Sequence, residues 1–172
     1  MGRKSPGRAS TLTTLTLDKM TAKRESQIKD ILPFQQLHIY TDGASRGNPG
    51  EAGAGVIICD ERGKIIKKVK KYLGNTTNNV AEYLALIIAL QEALKLKAEV
   101  IHLYLDSELV VRQIKGIYKV RDIKMKSLSQ QAKKLLSQFI QYDIICIDRK
   151  KNKQADKLAN LAIDEQNGDY GI

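Results

Sequence analysis

Two short runs of the chain carry the same arrangement of chemically useful residues. Leu37-His38-Ile39-Tyr40-Thr41-Asp42 and Ile101-His102-Leu103-Tyr104-Leu105-Asp106 both read apolar, His, apolar, Tyr, X, Asp. Each has the period-2 alternation of a β-strand and ends on a carboxylate. Adjacent parallel strands lie roughly 4.8 Å apart, so in register these two would set Asp42 beside Asp106. Carboxylates that close repel unless a proton or a cation lies between them. A single Asp at a strand end reads as a turn residue or a helix cap; the repetition favours a pair that works together. Two more acids share this character. Glu82 leads the stripe Glu82, Leu86, Ala89, Ala93 on one helix face, and Asp156 leads Asp156, Ala159, Ile163 on another. An acid at the head of an apolar stripe is costly to bury without a partner.

The elements that must position these acids follow from the pattern. After the strand to Asp42, the run Gly43 to Gly50 reads as a turn with Gly47, Asn48 and Pro49 in it. Ala52–Cys59 and Lys64–Leu73 read as strands joined by a hairpin at Asp60-Glu61-Arg62-Gly63. Lysines along the third strand read as a solvated face that protects an edge. Thr77-Asn78-Asn79 supplies capping residues for a helix from Val80 to about Leu96. The strand to Asp106 is followed by a short helix ended by Gly116 and by a basic run from Lys115 to Lys126. A helix from about Lys124 to Ile140, a strand Tyr142–Ile147 and a last helix from Asn152 to about Glu165 complete the order β-β-β-α-β-α-α-β-α. A hairpin start followed by helical crossovers implies a mixed five-stranded sheet with helices on both faces, an α/β fold. In such a sheet strand C-termini and helix N-termini gather at one edge, where the four acids would meet. Hard cations with oxygen ligands suit that cluster. Two Mg²⁺ ions about 3.5–4 Å apart form the clamp used for in-line phosphodiester displacement. No Ser-His-Asp, Cys-His or zinc spacing competes, and His38 and His102 read as structural.

Composition narrows the partners. The 172 residues carry a formal charge of +10 with 42% hydrophobic content, which supports one core and an anionic partner, nucleic acid first. Cys59 and Cys146 lie in strand-like apolar runs and read as buried free thiols of a reducing compartment. No apolar run is long enough for a membrane span. Residues 1–36 read as a basic, flexible extension around Arg3, Lys4 and Arg8, with a short helix over Asp18–Leu32, and residues 37–172 as the catalytic domain. No secretory h-region is present, and Pro6 stands where myristoylation wants Ser or Thr. A cytoplasmic protein is expected, with an organelle transit peptide as the alternative reading of the arm.

Four ordered segments resemble the successive motifs of type 1 ribonuclease H. They are Thr41 to Gly50, Thr76-Thr77-Asn78-Asn79-Val80-Ala81-Glu82, Asp106-Ser107-Glu108, and Asn152-Lys153-Gln154-Ala155-Asp156-Lys157-Leu158-Ala159. The resemblance covers roughly residues 37 to 166. It implies a ribonuclease H-like fold, with Asp42, Glu82, Asp106 and Asp156 as metal-binding catalytic acids and Mg²⁺ as cofactor, Mn²⁺ as its substitute. It implies that Asn48, Asn78 and Asn79 reach the minor groove of an RNA/DNA hybrid, where the 2′-OH marks RNA, and that Thr77 lies near a DNA phosphate.

Three departures accompany it. Glu108 replaces a Gln common in the family. The basic, Trp-containing protrusion of some members is absent, and Lys115–Lys126 is a short substitute. The Gly- and His-bearing loop of some members is replaced by Cys146-Ile147-Asp148-Arg149-Lys150-Lys151, which would pass the role of that His to Arg149 or dispense with it. The expected activity is metal-dependent endonucleolytic hydrolysis of the RNA strand of hybrids, leaving 3′-OH and 5′-phosphate ends, by a monomer. The rivals are a nuclease that also takes double-stranded RNA, a non-catalytic nucleic-acid-binding module of the same fold, and a transposase- or resolvase-like nuclease.

Overall fold

The computed structural model describes residues 19–20 and 36–168. The chain divides into two units, Met1–Pro33 and Phe34–Ile172. In the first, Lys19 and Met20 are helical and exposed; of the rest of the expected arm only Gln36, which opens the first strand of the second unit, is described, and the remainder of the Asp18–Leu32 helix lies outside the described residues.

The second unit runs β1 (Gln36–Gly47), β2 (Gly50–Cys59), β3 (Ile65–Thr76), α1 (Asn78–Lys95), β4 (Val100–Leu105), α2 (Glu108–Ile114), α3 (Ile123–Leu136), β5 (Gln141–Cys146), a 3₁₀ turn (Arg149–Lys151) and α4 (Lys153–Gly168). The five strands form one sheet in the order β3-β2-β1-β4-β5. β1–β2 and β2–β3 are antiparallel, while β1–β4 and β4–β5 are parallel. This is the mixed sheet the sequence implies.

Alternation decides what each face meets. Leu37, Ile39, Ile101 and Leu103 join Leu86, Leu90, Val110 and Leu136 in the main core under α1, α2 and α3. On the opposite face, Ile57, Cys59 and Ala155 form a smaller core under α4, with Tyr40 and Leu158 against it. Helix α4 lies directly on β2: a Cβ at Gly55 would stand 2.0 Å from the Ala155 carbonyl oxygen. Glycine there lets the two backbones approach.

The register of β1 against β4 is the one that positions chemistry. His38 pairs with His102, Tyr40 with Tyr104 and Thr41 with Leu105. The histidine rings stack at 4.9 Å and the tyrosine rings at 4.7 Å between centroids. The next residues along the two chains are Asp42 and Asp106.

Three expectations change. β1 runs on to Gly47, since every residue from Gly43 to Gly47 has an antiparallel partner in β2; the turn shrinks to Asn48-Pro49. Cys59 is buried as expected but Cys146 is exposed, because β5 is an edge strand. The β3 lysines are not all free in solvent: Lys67 pairs with Glu92 and Lys70 with Glu165. Among the described residues no helix is long and apolar enough to cross a membrane.

Candidate active site

The strand pair delivers the first two acids. Asp42 is 5% exposed and continues β1 past the point where its parallel partner ends. Asp106 follows β4, and Ser107 behind it caps α2, its hydroxyl accepting from the Val110 amide at 3.4 Å. Glu82 comes from the first turns of α1, whose start is fixed by the Thr77 hydroxyl accepting from the Val80 amide. Glu82 points inward and is 4% exposed. Its carboxylate accepts a hydrogen bond from the Gly43 amide at 3.3 Å. A carboxylate oxygen from each of Asp42, Glu82 and Asp106 lies within 4.8 Å of the others.

The electrostatics of the trio are those of a site short of positive charge. Burial, then the Asp106 and Asp156 charges, push Asp42 up to about 7. Burial, then Asp42 and Asp106, push Glu82 well above the usual carboxylate range. Burial raises Asp106 as well, against hydrogen bonding from Asn152 and the charge of Arg149, which lower it. Without a cation, therefore, the cluster holds protons near neutral pH. Three hard oxygen donors in partly water-excluded surroundings, repelling one another, form a donor set that fits a divalent oxygen-seeking cation.

Asp156 stands at the edge of the trio. It comes from the first turn of α4, adds to the negative charge that raises Asp42, and lies 3.7 Å from the Arg149 guanidinium. Arg149 itself is 82% exposed at its side chain, held in the 3₁₀ turn that Asp148 caps by accepting from the Lys150 amide at 2.8 Å. The loop thus places one guanidinium at the rim of the carboxylates.

The other predicted residues gather beside the trio in part. The Asn48 side-chain oxygen accepts from the Asn78 amide at 3.2 Å, joining the β1–β2 turn to the start of α1. Asn78 and Asn79 are exposed. Ser45 reinforces the same junction, its hydroxyl donating to the Thr76 carbonyl at 2.8 Å. Glu108 is tied to Arg112 at 2.7 Å, one helical turn away, and Arg112 lies over the Tyr118 ring at 5.1 Å.

Sequence reasoning missed Asn152. It is 1% exposed, and its side-chain amide donates to the Thr41 carbonyl at 2.8 Å. Its own carbonyl oxygen is buried without a partner, as is the Thr41 hydroxyl next to Asp42. A buried polar group left unpaired costs about 1–3 kcal/mol. The signal was a polar residue at the N-cap position of α4, which reads first as a cap.

A mixed sheet in this order, with acids at the ends of its central parallel strands and at facing helix starts, defines a ribonuclease H-like protein. Known proteins agree. The family model described as reverse transcriptase-like matches residues 40–162. Ribonuclease HI of Halobacterium salinarum is 39% identical over 130 residues, 76% of this chain and 65% of that protein. The bifunctional protein Rv2228c of Mycobacterium tuberculosis is 42% identical over 127 residues, 73% of this chain and 35% of that one. The chain thus spans about a third of the mycobacterial relative and 65% of the archaeal one. The crystal structure of the Halobacterium RNase H1 superposes with a TM-score of 0.74, covering 76% of this chain and 98% of that chain. LC11-RNase H1, solved in complex with an RNA/DNA hybrid, superposes with a TM-score of 0.72 at 41% identity, covering 76% and 98%. The chain belongs to the ribonuclease H1 family.

Proposed function

We propose that this chain is a metal-dependent endoribonuclease that hydrolyses the RNA strand of RNA/DNA hybrids, leaving 3′-OH and 5′-phosphate ends. The observation that carries the reading is the trio of Asp42, Glu82 and Asp106, with carboxylate oxygens within 4.8 Å of one another, in a chain of this family. Two Mg²⁺ ions held by these acids with Asp156, Mn²⁺ substituting, would supply the activation of water and the charge stabilisation that in-line displacement needs.

The chain's own groups supply the rest. Asp42 and Glu82, both buried, exclude water from one side of the cluster and fix where positive charge is welcome. Asn48, Asn78 and Asn79 form an amide-bearing ridge next to the carboxylates, suited to the 2′-OH of the RNA strand in the minor groove. Thr77 lies next in sequence, placed for a phosphate of the DNA strand. Arg149, at the rim beside Asp156, holds the scissile or product phosphate as a planar fork. Glu108, neutralised by Arg112, makes a groove-edge contact without presenting a free charge. One chain carries the whole acid set, so a monomer suffices. LC11-RNase H1 bound to a hybrid supports the choice of substrate.

The test is a gel assay of end-labelled RNA/DNA hybrid, double-stranded RNA and double-stranded DNA, each with Mg²⁺ or with EDTA. Internal cuts confined to the RNA of the hybrid and abolished by EDTA are expected. Binding without cleavage would leave a non-catalytic module, and equal cutting of double-stranded RNA would leave the broader nuclease.

A further inference from the structure

The 3₁₀ turn before α4 sends its residues in opposite directions. Arg149 points outward to the rim, while Asn152 turns into the protein and is buried. The Asn152 side-chain amide joins the start of α4 to the end of β1. It donates to the Thr41 carbonyl at 2.8 Å, one residue before Asp42, and the backbone carbonyl of the same residue accepts from the Asp156 amide at 3.1 Å in the first turn of α4. The orientation of the amide is fixed by that geometry, since a flipped amide would set its oxygen against the Thr41 oxygen. The consequence is that its own oxygen is left buried without a donor. A group chosen for packing or for capping alone would not leave that atom unpaired. The donor to Thr41 is what the position uses.

We propose that Asn152 is a positioning residue for the cation site, setting the Asp42 end of β1 and the Asp156-bearing start of α4 at a fixed mutual separation. It touches neither substrate nor cation; it acts by orienting a ligand, in the way outer partners of metal ligands do. The inference rests on the reading of the carboxylates as a cation site, and it adds a residue outside the four acids. It also makes α4 more than the carrier of Asp156: the same helix start is tied to the strand that carries Asp42.

The experiment is Mn²⁺ binding measured by isothermal titration on the full chain, with Asn152→Ala and the near-isosteric Asn152→Leu, and circular dichroism to follow folding. Both variants should bind Mn²⁺ about tenfold or more weakly. Asn152→Leu fills the space and removes the unpaired oxygen, so it should melt closer to wild type than Asn152→Ala does. Wild-type affinity in either folded variant would overturn the proposal, because the donor would then not be what counts. Wild-type protein that fails to bind Mn²⁺ would instead remove the cation site itself, and this inference with it. Should both variants fail to fold, Asn152→Val, which offers no donor, takes their place under the same criterion.

Discussion

The amide of Gly43 donates to the carboxylate of Glu82 at 3.3 Å, joining the strand that carries Asp42 to the helix that carries Glu82. The contact exists because position 43 has no side chain. A Cβ there would stand 2.2 Å from the Ala81 carbonyl carbon and 2.3 Å from the Glu82 nitrogen. Both are rigid backbone of α1, so neither can yield as a flexible side chain would. The distance between two acids of the site is therefore set by a missing methyl group.

Gly43→Ala should push α1 off β1 and part Glu82 from Asp42. The overpacking should cost about 3 kcal/mol or more, the upper end of what an inserted core methylene costs. A urea midpoint lowered accordingly, together with loss of Mg²⁺-induced stabilisation, is the expected result. An unchanged midpoint would show that α1 can move away freely.

The cation-free protein should lose stability as pH rises. Asp42 has a folded pKa of about 7 against 3.8 unfolded, and burial with like charges raises Glu82 and Asp106 too. A raised folded pKa means the folded state binds the extra proton. That contribution is complete below about pH 4 and is lost as pH climbs through 7, by about 1.4 kcal/mol per pH unit for each proton held. His38 is shifted the other way, down, by burial first and His102 second. The difference between wild type and Asp42→Asn isolates the carboxylate. In EDTA the wild-type Tm should fall from pH 5 to pH 8 more steeply than that of Asp42→Asn, and Mg²⁺ should restore the wild type most at pH 8. Parallel curves would contradict the shift.

How much of this was legible depended on whether the signal was local. Asp42 and Asp106 could be read because two strands repeat one pattern, and parallel register follows from the pattern. Glu82 could be read because its apolar stripe forces it inward. The length of β1 could not: Gly43, Ala44 and Ser45 have no strand preference of their own, and they extend only because β2 lies alongside. The exposure of Cys146 was equally hidden, since which strand ends up at the edge is a property of the sheet order. Asn152 escaped because its partner, Thr41, is far away in sequence.

Arg149→Ala should lower turnover more than affinity. A charge-assisted hydrogen bond contributes about 1.5–3 kcal/mol, so the single-turnover rate should fall about tenfold or more. Arg149→Lys should recover part of it, as a point charge replaces a fork. Lys150→Ala, one residue away and exposed, should change the rate less than about twofold, the range of surface charges. Equal small losses in both alanine variants would make Arg149 one more solvated cation.

Removing residues 1–35, ahead of the first residue of β1, should leave cleavage of the hybrid intact. Gln36 is kept because its side chain bonds His102 at 2.9 Å. With Arg3, Lys4 and Arg8 gone, hybrid affinity should drop and its dependence on salt should become shallower, fewer counterions being released. Titrations of both forms across a salt series read the two slopes. Identical slopes would mean the arm makes no phosphate contact.

The most direct measurement is the single-turnover cleavage rate of a labelled RNA/DNA hybrid in Mg²⁺ for wild type and Asp42→Asn, with hybrid affinity measured alongside. Asp42 is buried in the carboxylate trio whereas Asn78 and Asn79 are exposed, so under the proposed function its charge serves the cation site and not the grip on the hybrid. Loss of roughly two orders of magnitude in rate, the scale of removing a charge-stabilising group, with affinity kept or tightened, is the predicted result. A variant that keeps more than about a tenth of the wild-type rate would contradict the two-metal account in which this carboxylate is essential.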